Sequence, residues 1–222
     1  MLCQNFVIFG NLTTFGCEFP TNNMRKLDIH IDWDAFVAGD ASIFEELYNA
    51  FFKVLYNYGC KYTSNTELVE DAIQELFVRF WKNRATLNEP PSLKNYLFKA
   101  FRNHMNDRLK AAGRYVVDDF GDHNPFEWVP SAEETHVAAD GVEFRKKKIE
   151  DAMSKLTDRQ REAIFLRYYE DFSYPDIADM MGITVKATYK LMARSIDTMR
   201  ASLGDSSTTI FWLLFGRGNK IK

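Results

Sequence analysis

Apolar residues recur in pairs four positions apart along the first half of the chain, which is the pattern of amphipathic helices. The pattern covers residues 43–58, 68–81 and 93–109, and strict two-residue alternation is absent there. Ser42 with Glu45 has the spacing of a capping box, and Ser92 can cap the third segment. We therefore predict three helices, each long enough to bury one face against the other two.

Helix start and stop signals dominate the second half of the chain. Thr157 and Ser173 each open a capping box, so each predicts the start of a helix. Gly182 can adopt the left-handed geometry that ends a helix, and Thr184 can cap the next one. The order helix, tight turn, helix around Gly182 has the spacing of a helix-turn-helix.

An acidic segment separates the two halves. Residues 118–143 hold eight acidic side chains and no Lys or Arg, with two prolines and two glycines, which is typical of a solvated, flexible linker. We expect an all-α fold of two small helical domains joined by this linker. The expected boundaries are an N-terminal extension at 1–35, a first domain at 36–114, the linker at 115–144, a second domain at 145–203 and a tail at 204–222.

Composition narrows the class of protein. Hydrophobic residues make up 46% of the chain and charged residues 27%, as in globular proteins, and no apolar run reaches the roughly 18 residues of a membrane helix. The three cysteines form no Cys-x-x-Cys pair, which argues against a zinc site or a disulfide framework and favours the cytoplasm. The first 23 residues look unlike the rest, so we expect Met24 to be the biological start.

Enzyme signatures are weak. Glu133 and His136 have the spacing of a di-iron motif, but it occurs once, whereas such sites need two copies on facing helices. The sequence has no Gly-rich phosphate loop and no Gly-x-Ser-x-Gly. We therefore expect no catalytic residues, no cofactor and no metal.

The last predicted helix carries a basic face. Residues 186–200 hold four basic side chains against one acidic, and Lys186, Tyr189, Lys190 and Arg194 lie on one side at helical spacing. Long donors of this kind can reach phosphates and base edges in the major groove. The plain alternative is a helical hairpin with solvated lysines.

Two separated parts of the sequence resemble one family. Residues 70–81 resemble the region 2.2 signature of bacterial sigma-70 factors, and residues 97–107 resemble regions 2.3 and 2.4. Residues 156–163 and 173–203 resemble regions 4.1 and 4.2. With no region 1.1 or region 3, the chain is similar to an extracytoplasmic-function (ECF) sigma factor.

The resemblance implies a contact with RNA polymerase through region 2.2. In the family this helix docks on the clamp helices of the beta-prime subunit, and the matching positions here are Asp71, Gln74, Glu75, Phe77 and Trp81. Carboxylates beside a large aromatic side chain can pair with a basic coiled coil. The alternative is that Phe77 and Trp81 are core residues. This alternative does not apply to Asp71, Gln74 and Glu75, because the core does not need polar side chains.

The resemblance also implies two DNA-binding surfaces. For the -10 element, where the family opens the duplex and holds an unstacked base, the matching positions are Tyr96, Lys99, Arg102, Asn103, Asp107, Lys110 and Arg114. For the -35 element they are Thr184, Lys186, Ala187, Tyr189, Lys190 and Arg194. Two departures stand out: Ala187 and Thr188 replace a frequent Thr-Val pair, and Pro175 replaces a usual acid.

The implied partners are core RNA polymerase, through its beta-prime clamp and beta flap, promoter DNA and an anti-sigma factor, without direct membrane insertion. The acidic linker is expected near the RNA exit path. A stand-alone helix-turn-helix regulator is the main alternative, but it leaves the 70–81 signature without a purpose. A helical-bundle metalloenzyme is the second alternative, and the ligand pairs that it needs are missing.

Overall fold

The computed structural model describes residues 31–113, 116–118, 121–123, 125–127 and 140–203. These residues form eight α-helices: α1 (Trp33–Ala38), α2 (Ala41–Gly59), α3 (Thr66–Asn83), α4 (Leu93–Ala111), α5 (Asp140–Ser154), α6 (Asp158–Tyr168), α7 (Tyr174–Met181) and α8 (Val185–Leu203). A 3-10 turn, Arg84–Thr86, follows α3. The expectations about Met24, Arg114, the di-iron-like pair and the tail at 204–222 lie outside the described residues.

Helices α1–α4 form the N-terminal bundle. The paired apolar positions of α2, α3 and α4 point inward, so that Leu55, Ile73 and Phe101 are fully buried. Gly59 permits the close approach of α2 to its neighbours, because a Cβ there would lie 2.5 Å from Val69 Cγ1. The three helices predicted from the first half of the sequence are confirmed.

The start of α2 differs from the capping box predicted at Ser42. The helix begins at Ala41, two residues earlier than a Ser42 cap would place it, and Asp40 is the N-cap, since its side chain accepts a hydrogen bond from Ser42 N at 2.8 Å. Ser42 Oγ donates to the same Asp40 oxygen at 2.7 Å. The prediction of a Ser42 cap is wrong because Asp40, a stronger acceptor two residues upstream, captures the free backbone amide.

Helices α5–α8 form the C-terminal domain, and their ends follow the sequence signals. Thr157 and Ser173 each cap a helix through a complete capping box, and Gly182 ends α7 with φ 64°. Thr184 Oγ1 accepts a hydrogen bond from Ala187 N at 3.1 Å. Helix α5 begins at Asp140, within the range expected to be linker.

The described part of the 115–144 segment contains more structure than its composition indicated. Strands β1 (Val116–Asp118) and β2 (Gly121–His123) pair as an antiparallel hairpin, in which Val117 lies opposite Asp122. Farther along, Phe126 is buried, and Glu127 N donates to Lys61 O at 2.7 Å. Apart from this small hairpin, the described residues are all-helical, and the predicted all-α fold class is confirmed.

One hydrophobic core runs through both helical domains. Tyr58 of α2 stacks on Phe165 of α6 with ring centroids 5.7 Å apart, and Phe98 of α4 meets Phe172 at 4.9 Å. Phe126 packs against Tyr62 of the first domain and Phe165 of the second, with ring centroids 5.2 and 5.8 Å apart. The two domains are therefore packed directly against each other.

Candidate polymerase and nucleic-acid interfaces

Helix α8 exposes the side chains predicted for the -35 element. Its inner face, with Met192, Ser195 and Met199, is buried against the rest of the C-terminal domain. The outer face leaves five of the six predicted residues exposed, namely Thr184, Lys186, Tyr189, Lys190 and Arg194, while Ala187 is half-buried. A rigid, amphipathic helix thus presents three cations and one aromatic side chain on a single side.

Tyr189 is held in place although it is 55% exposed. Its ring meets the Tyr174 ring edge-on, with centroids 4.5 Å apart. The Arg167 guanidinium in turn lies 5.4 Å from the centre of the Tyr174 ring. This contact orients an exposed phenol at the start of α8, where a side chain can meet a base or a sugar.

Helix α3 exposes two of the polar residues predicted for polymerase binding. Asp71 and Gln74 are exposed, and Glu75 is half-buried against α4. Arg108 pairs with Glu75, and its Nη1 lies 3.7 Å from Asp71 Oδ2. The α3 carboxylates are therefore part of a charge cluster shared with α4.

The charge cluster shifts the pKa values of its members. Burial would raise the pKa of Glu75, but the charge of Arg108 and its hydrogen bond outweigh burial and lower that pKa. His104 Nε2 lies 2.8 Å from Glu75 Oε2. Burial and the nearby Arg79 charge nonetheless lower the pKa of His104. The neutral imidazole is therefore favoured near pH 7, and Glu75 stays ionised.

The two aromatic residues of α3 differ in position. Phe77 is completely buried and packs edge-on against Tyr48 at 5.1 Å, so its predicted direct contact with a partner is corrected to a core role. Trp81 is half-buried, and the Arg84 guanidinium lies 4.2 Å from its ring centre. The sequence pattern is consistent with this result, because Phe77 and Trp81 both belong to the apolar stripe of α3 that was predicted to face the core.

Helix α4 divides the residues predicted for the -10 element into two groups. Asn103, Asp107 and Lys110 are exposed, and Tyr96 is half-buried against Phe80 at 5.8 Å. Lys99 and Arg102 instead contact the C-terminal domain. Lys99 Nζ donates to Asp179 Oδ1 at 2.7 Å, and Arg102 Nη1 donates to Met180 O at 3.3 Å.

The Arg102 contact is the centre of a buried polar cluster. Arg102 forms a two-pronged pair with Glu162 of α6, with Nε 2.6 Å from Oε1 and Nη2 3.1 Å from Oε2. The hydroxyls of Tyr58 and Tyr62 donate to Glu162 Oε1 at 2.7 and 2.6 Å. The four side chains, which we call the Glu162 cluster, satisfy one another inside the interface between the domains.

The Glu162 cluster fixes the ionisation of its members. Burial alone would raise the pKa of Glu162. The charge of Arg102 and the hydrogen bonds that Arg102, Tyr62 and Tyr58 donate outweigh burial and lower this pKa. Burial and the Glu162 charge raise the pKa values of Tyr58 and Tyr62 well above the ordinary tyrosine value. The cluster therefore holds one carboxylate, one guanidinium and two neutral phenols at neutral pH.

Sequence reasoning missed the Glu162 cluster and the role of Phe126. Its members are 60 to 104 positions from Glu162 along the chain, so no local spacing connects them. One available signal was Glu162 itself, a charged residue directly before the apolar run Ala163–Leu166 of α6. A second available signal was Phe126, because a large aromatic residue within an acidic segment indicates local burial.

The described residues contain no group of three or more His, Cys, Asp or Glu side chains placed to hold a metal ion. None of the helices in the described ranges is long and apolar enough to cross a membrane.

Comparison with known proteins places both domains in one family. The sigma-70 region 2 profile matches residues 45–115, and the sigma-70 region 4 profile matches residues 146–199. Together the two ranges cover more than half of the chain. They occur in the order predicted from the sequence.

Individual relatives agree with the family profiles. The ECF RNA polymerase sigma factor SigL of Mycobacterium tuberculosis is 26% identical over 171 residues, which cover 75% of this chain and 94% of SigL. The RNA polymerase sigma factor SigV of Bacillus subtilis is 22% identical over 149 residues, or 67% of this chain and 83% of SigV.

Solved structures share the fold. The sigma factor RpoE of Bartonella quintana, in complex with the anti-sigma factor NepR, matches 72% of this chain and 96% of its own with a TM-score of 0.52 and 22% identity. CnrH, in complex with the cytosolic domain of CnrY, matches 77% of this chain and 94% of its own with a TM-score of 0.51 and 18% identity. On these grounds the chain belongs to the sigma-70 family of RNA polymerase sigma factors, as a member of the ECF type.

Proposed function

We propose that three helices of this sigma factor bind three different targets: α3 binds core RNA polymerase, α4 binds the opened -10 element and α8 binds the -35 element. The observation that carries the proposal is that both sigma-70 regions coincide with helices whose outer faces are polar, with Asp71 and Gln74 exposed on α3, Asn103 and Lys110 on α4, and Lys186, Lys190 and Arg194 on α8. The proposed domains extend over residues 36–114 and 145–203.

The polymerase contact is proposed for Asp71, Gln74 and Glu75, with Trp81 as a partly exposed aromatic neighbour. Asp71 and Gln74 project from α3, whose opposite face is buried in the core. The backbone that carries them is therefore already ordered before a partner binds, which lowers the entropic cost of binding. Acidic groups on a rigid helix suit a basic coiled-coil partner.

The -10 contact is proposed for α4, because the helix combines an exposed amide, Asn103, with cations along its length. Single-stranded DNA is held by cations that follow the backbone and by aromatic faces that stack on bases. Lys99 and Lys110 supply cations and Tyr96 supplies an aromatic ring; Arg102 would be available to DNA only if its pair with Glu162 were broken. Strand opening would then draw on binding energy, without a catalytic step in this chain.

The -35 contact is proposed for α8 as the second helix of a helix-turn-helix. The first residues of such a helix meet base edges in the major groove, and cations farther along meet phosphates. Thr184 caps the helix, Lys186, Tyr189 and Lys190 occupy its first two turns, and Arg194 follows one turn later. Ala187, which is half-buried, would allow a close approach to the groove.

Cellular setting and partners follow from the same proposal. The chain would act in the cytoplasm, where it meets core RNA polymerase and promoter DNA. CnrH and RpoE were each solved in complex with a protein partner, named an anti-sigma factor in the second case, and we propose a regulator of that kind here.

Binding to core polymerase tests the proposal. We expect the wild-type chain to co-elute with purified bacterial core RNA polymerase in size-exclusion chromatography, and the Asp71→Ala, Gln74→Ala double variant to bind at least tenfold more weakly, a loss of about 1.4 kcal/mol. The matched control is Glu45→Ala, Glu46→Ala, which removes exposed polar side chains from α2.

Two results would contradict the proposal. Equal binding of the double variant and the wild type to core polymerase would show that α3 is not the docking surface. A wild-type chain that ignores core polymerase but shifts palindromic duplex DNA on its own would instead behave as a stand-alone helix-turn-helix regulator.

A further inference from the structure

We propose that Val185 and Tyr189, which we call the Val185–Tyr189 pair, form an apolar surface on α8 that contacts thymine methyl groups in the -35 element. The inference rests on the proposed role of α8 and names the base that this helix selects. It starts from two exposed apolar side chains that lie next to the cations of the helix.

The Val185–Tyr189 pair stands out by its exposure. Within the part of the chain whose side chains the structure describes, these two are the large apolar residues left exposed, at 39% and 55%. Exposed apolar groups with a polar border mark interaction sites. The pair is therefore a contact surface that packing of the core does not explain.

The two side chains follow each other along the first turns of α8. Val185 is the first residue of the helix and Tyr189 lies four positions later, so they are neighbours on one face. The helical period puts the pair between the buried face, marked by Thr188 and Met192, and the side that carries Lys186. A strip of apolar surface thus runs beside a row of cations.

Thymine carries the chemical group that this strip fits. Its C5 methyl is the apolar group that distinguishes thymine in the major groove, and apolar side chains contact it there. The first residues of the second helix of a helix-turn-helix meet base edges in that groove. Four residues of an α-helix rise about 6 Å, close to two base-pair steps of about 3.4 Å. The pair can therefore contact two thymines that lie one or two base pairs apart.

Size and charge favour DNA over a protein as the partner of the pair. A stable protein interface buries roughly 800 Å² on each side, which is far more than two side chains supply. Lys186, Lys190 and Arg194 are exposed on the same helix and can neutralise phosphates on either side of the groove. An apolar strip with a cationic border is complementary to base methyls flanked by phosphates.

Tyr174 is a positioning residue for this contact. Its ring meets the Tyr189 ring edge-on, with centroids 4.5 Å apart, and the Ser173 capping box fixes the start of α7 that carries it. Arg167 supports Tyr174 in turn, since its guanidinium lies 5.4 Å from the Tyr174 ring centre. Arg167 is itself anchored, because its Nη1 donates to Phe172 O at 3.0 Å. Tyr189 therefore loses little rotational freedom when it meets a base.

Selection of promoter DNA by the assembled holoenzyme tests the inference. The wild-type chain and bacterial core RNA polymerase bind a duplex library with randomised windows around positions -35 and -10, and the recovered DNA gives the upstream sequence. Each upstream thymine is then replaced singly by uracil, which lacks only the C5 methyl. Fluorescence anisotropy measures the affinity of each duplex for the wild-type holoenzyme and its variants. A uracil replacement between the two windows is the control for the DNA.

We expect two of the upstream uracil replacements to weaken wild-type binding about fourfold each, equal to about 0.8 kcal/mol for one buried methyl. Val185→Ala should abolish this penalty at one of the two positions, and Tyr189→Ala should abolish it at the other. Tyr189→Phe should retain both penalties, because the ring and not the hydroxyl contacts the methyl. Thr198→Ala, farther along α8, should also retain both.

Three results would overturn the contact with thymine methyls. The first is a recovered upstream sequence without thymine, and the second is an affinity that no uracil replacement changes. The third is a uracil penalty that persists in both alanine variants, which would show that other residues contact the methyls.

Tyr174 variants test the positioning role separately. Tyr174→Ala should reduce the uracil penalty at the Tyr189 position, and Tyr174→Phe should keep it, since the edge-on ring contact remains. If Tyr174→Ala weakens binding to the thymine and uracil duplexes equally, its role is only structural and the positioning role is wrong.

Failure of the inference can be told apart from failure of the proposed function. Arg194→Ala removes an exposed cation from α8 and should weaken binding to the thymine and uracil duplexes alike. If no upstream sequence is selected and Arg194→Ala changes nothing, the -35 role of α8 is wrong, and the inference with it. If an upstream sequence is selected and Arg194→Ala weakens binding while uracil has no effect, α8 keeps its -35 role and only the methyl contact is wrong.

Discussion

Glu162 shows, at the scale of a single residue, how an ionised group can be kept inside a protein. Four donated hydrogen bonds reach its two oxygens, and two of them come from the Arg102 guanidinium. A buried carboxylate without such partners would become protonated. The arrangement is costly to break, because removal of the charge leaves Arg102 buried and unpaired.

The lowered pKa of Glu162 predicts a pH dependence. Because this pKa is lower in the folded than in the unfolded chain, the ionised cluster stabilises the fold above the ordinary glutamate value of about 4.3, and that stabilisation is lost as the pH falls through the folded pKa. We expect Glu162→Gln to lower the free energy of unfolding by about 3 kcal/mol at pH 7. The difference should shrink below pH 4.

Urea unfolding of both chains at several pH values measures this difference. Glu46→Gln supplies the control for the loss of one carboxylate at the surface. A wild-type advantage that stays constant from pH 7 down to the acid limit would mean that the Glu162 charge is not what stabilises the interface.

At the scale of the element, local sequence accounts for the helix ends of α6 and α7 and for the start of α8. Thr157, Ser173, Gly182 and Thr184 act as their residue types predict, because capping depends on side chains within three or four positions of the helix end. Helix α2 begins elsewhere than predicted, because two competing caps stand two residues apart. Asp40 caps the helix because its ionised carboxylate is the stronger acceptor, and Ser42 donates to that carboxylate through both its backbone amide and its hydroxyl.

The two caps of α2 can be separated by substitution. We expect Asp40→Ala to lower the thermal midpoint of the chain more than Ser42→Ala does, because the first change removes the acceptor of the free amide and the second removes only a donor to it. Differential scanning fluorimetry of the two variants makes the comparison. A larger loss for Ser42→Ala would restore the capping box predicted from the sequence.

At the scale of the whole molecule, the continuous core ties the two helical domains together. Aromatic contacts such as Tyr58 with Phe165 and Phe98 with Phe172 cross the boundary between regions that the family profiles treat separately. Domains that share a core unfold together when the shared contacts outweigh the difference in their own stabilities.

We therefore expect one cooperative unfolding transition for the wild-type chain. With Trp128 and Trp212 replaced by Phe in every variant, Trp33 and Trp81 report on the N-terminal bundle by fluorescence, while far-ultraviolet circular dichroism reports on all helices. The two urea curves should coincide for the wild type and separate for Phe126→Ala, which removes the ring that packs between Tyr62 and Phe165. Phe52→Ala, a half-buried aromatic change within α2, is the control and should leave them coincident.

Non-coincident curves for the wild type would show that the domains unfold independently. Coincident curves for Phe126→Ala would assign the coupling to the Glu162 cluster and the direct aromatic contacts alone.

The sequence by itself determined most of the helices, the caps at Thr157, Ser173 and Gly182, the helix-turn-helix and the family, because each depends on residues a few positions apart or on a signature that stays contiguous. It also placed Lys186, Tyr189, Lys190 and Arg194 on one face, which the helical period requires. Only the tertiary structure decided that Phe77 is core, that Phe126 is buried, and that Arg102 faces Glu162 instead of solvent. Those outcomes depend on which surfaces meet when distant segments pack, and no local spacing encodes that meeting.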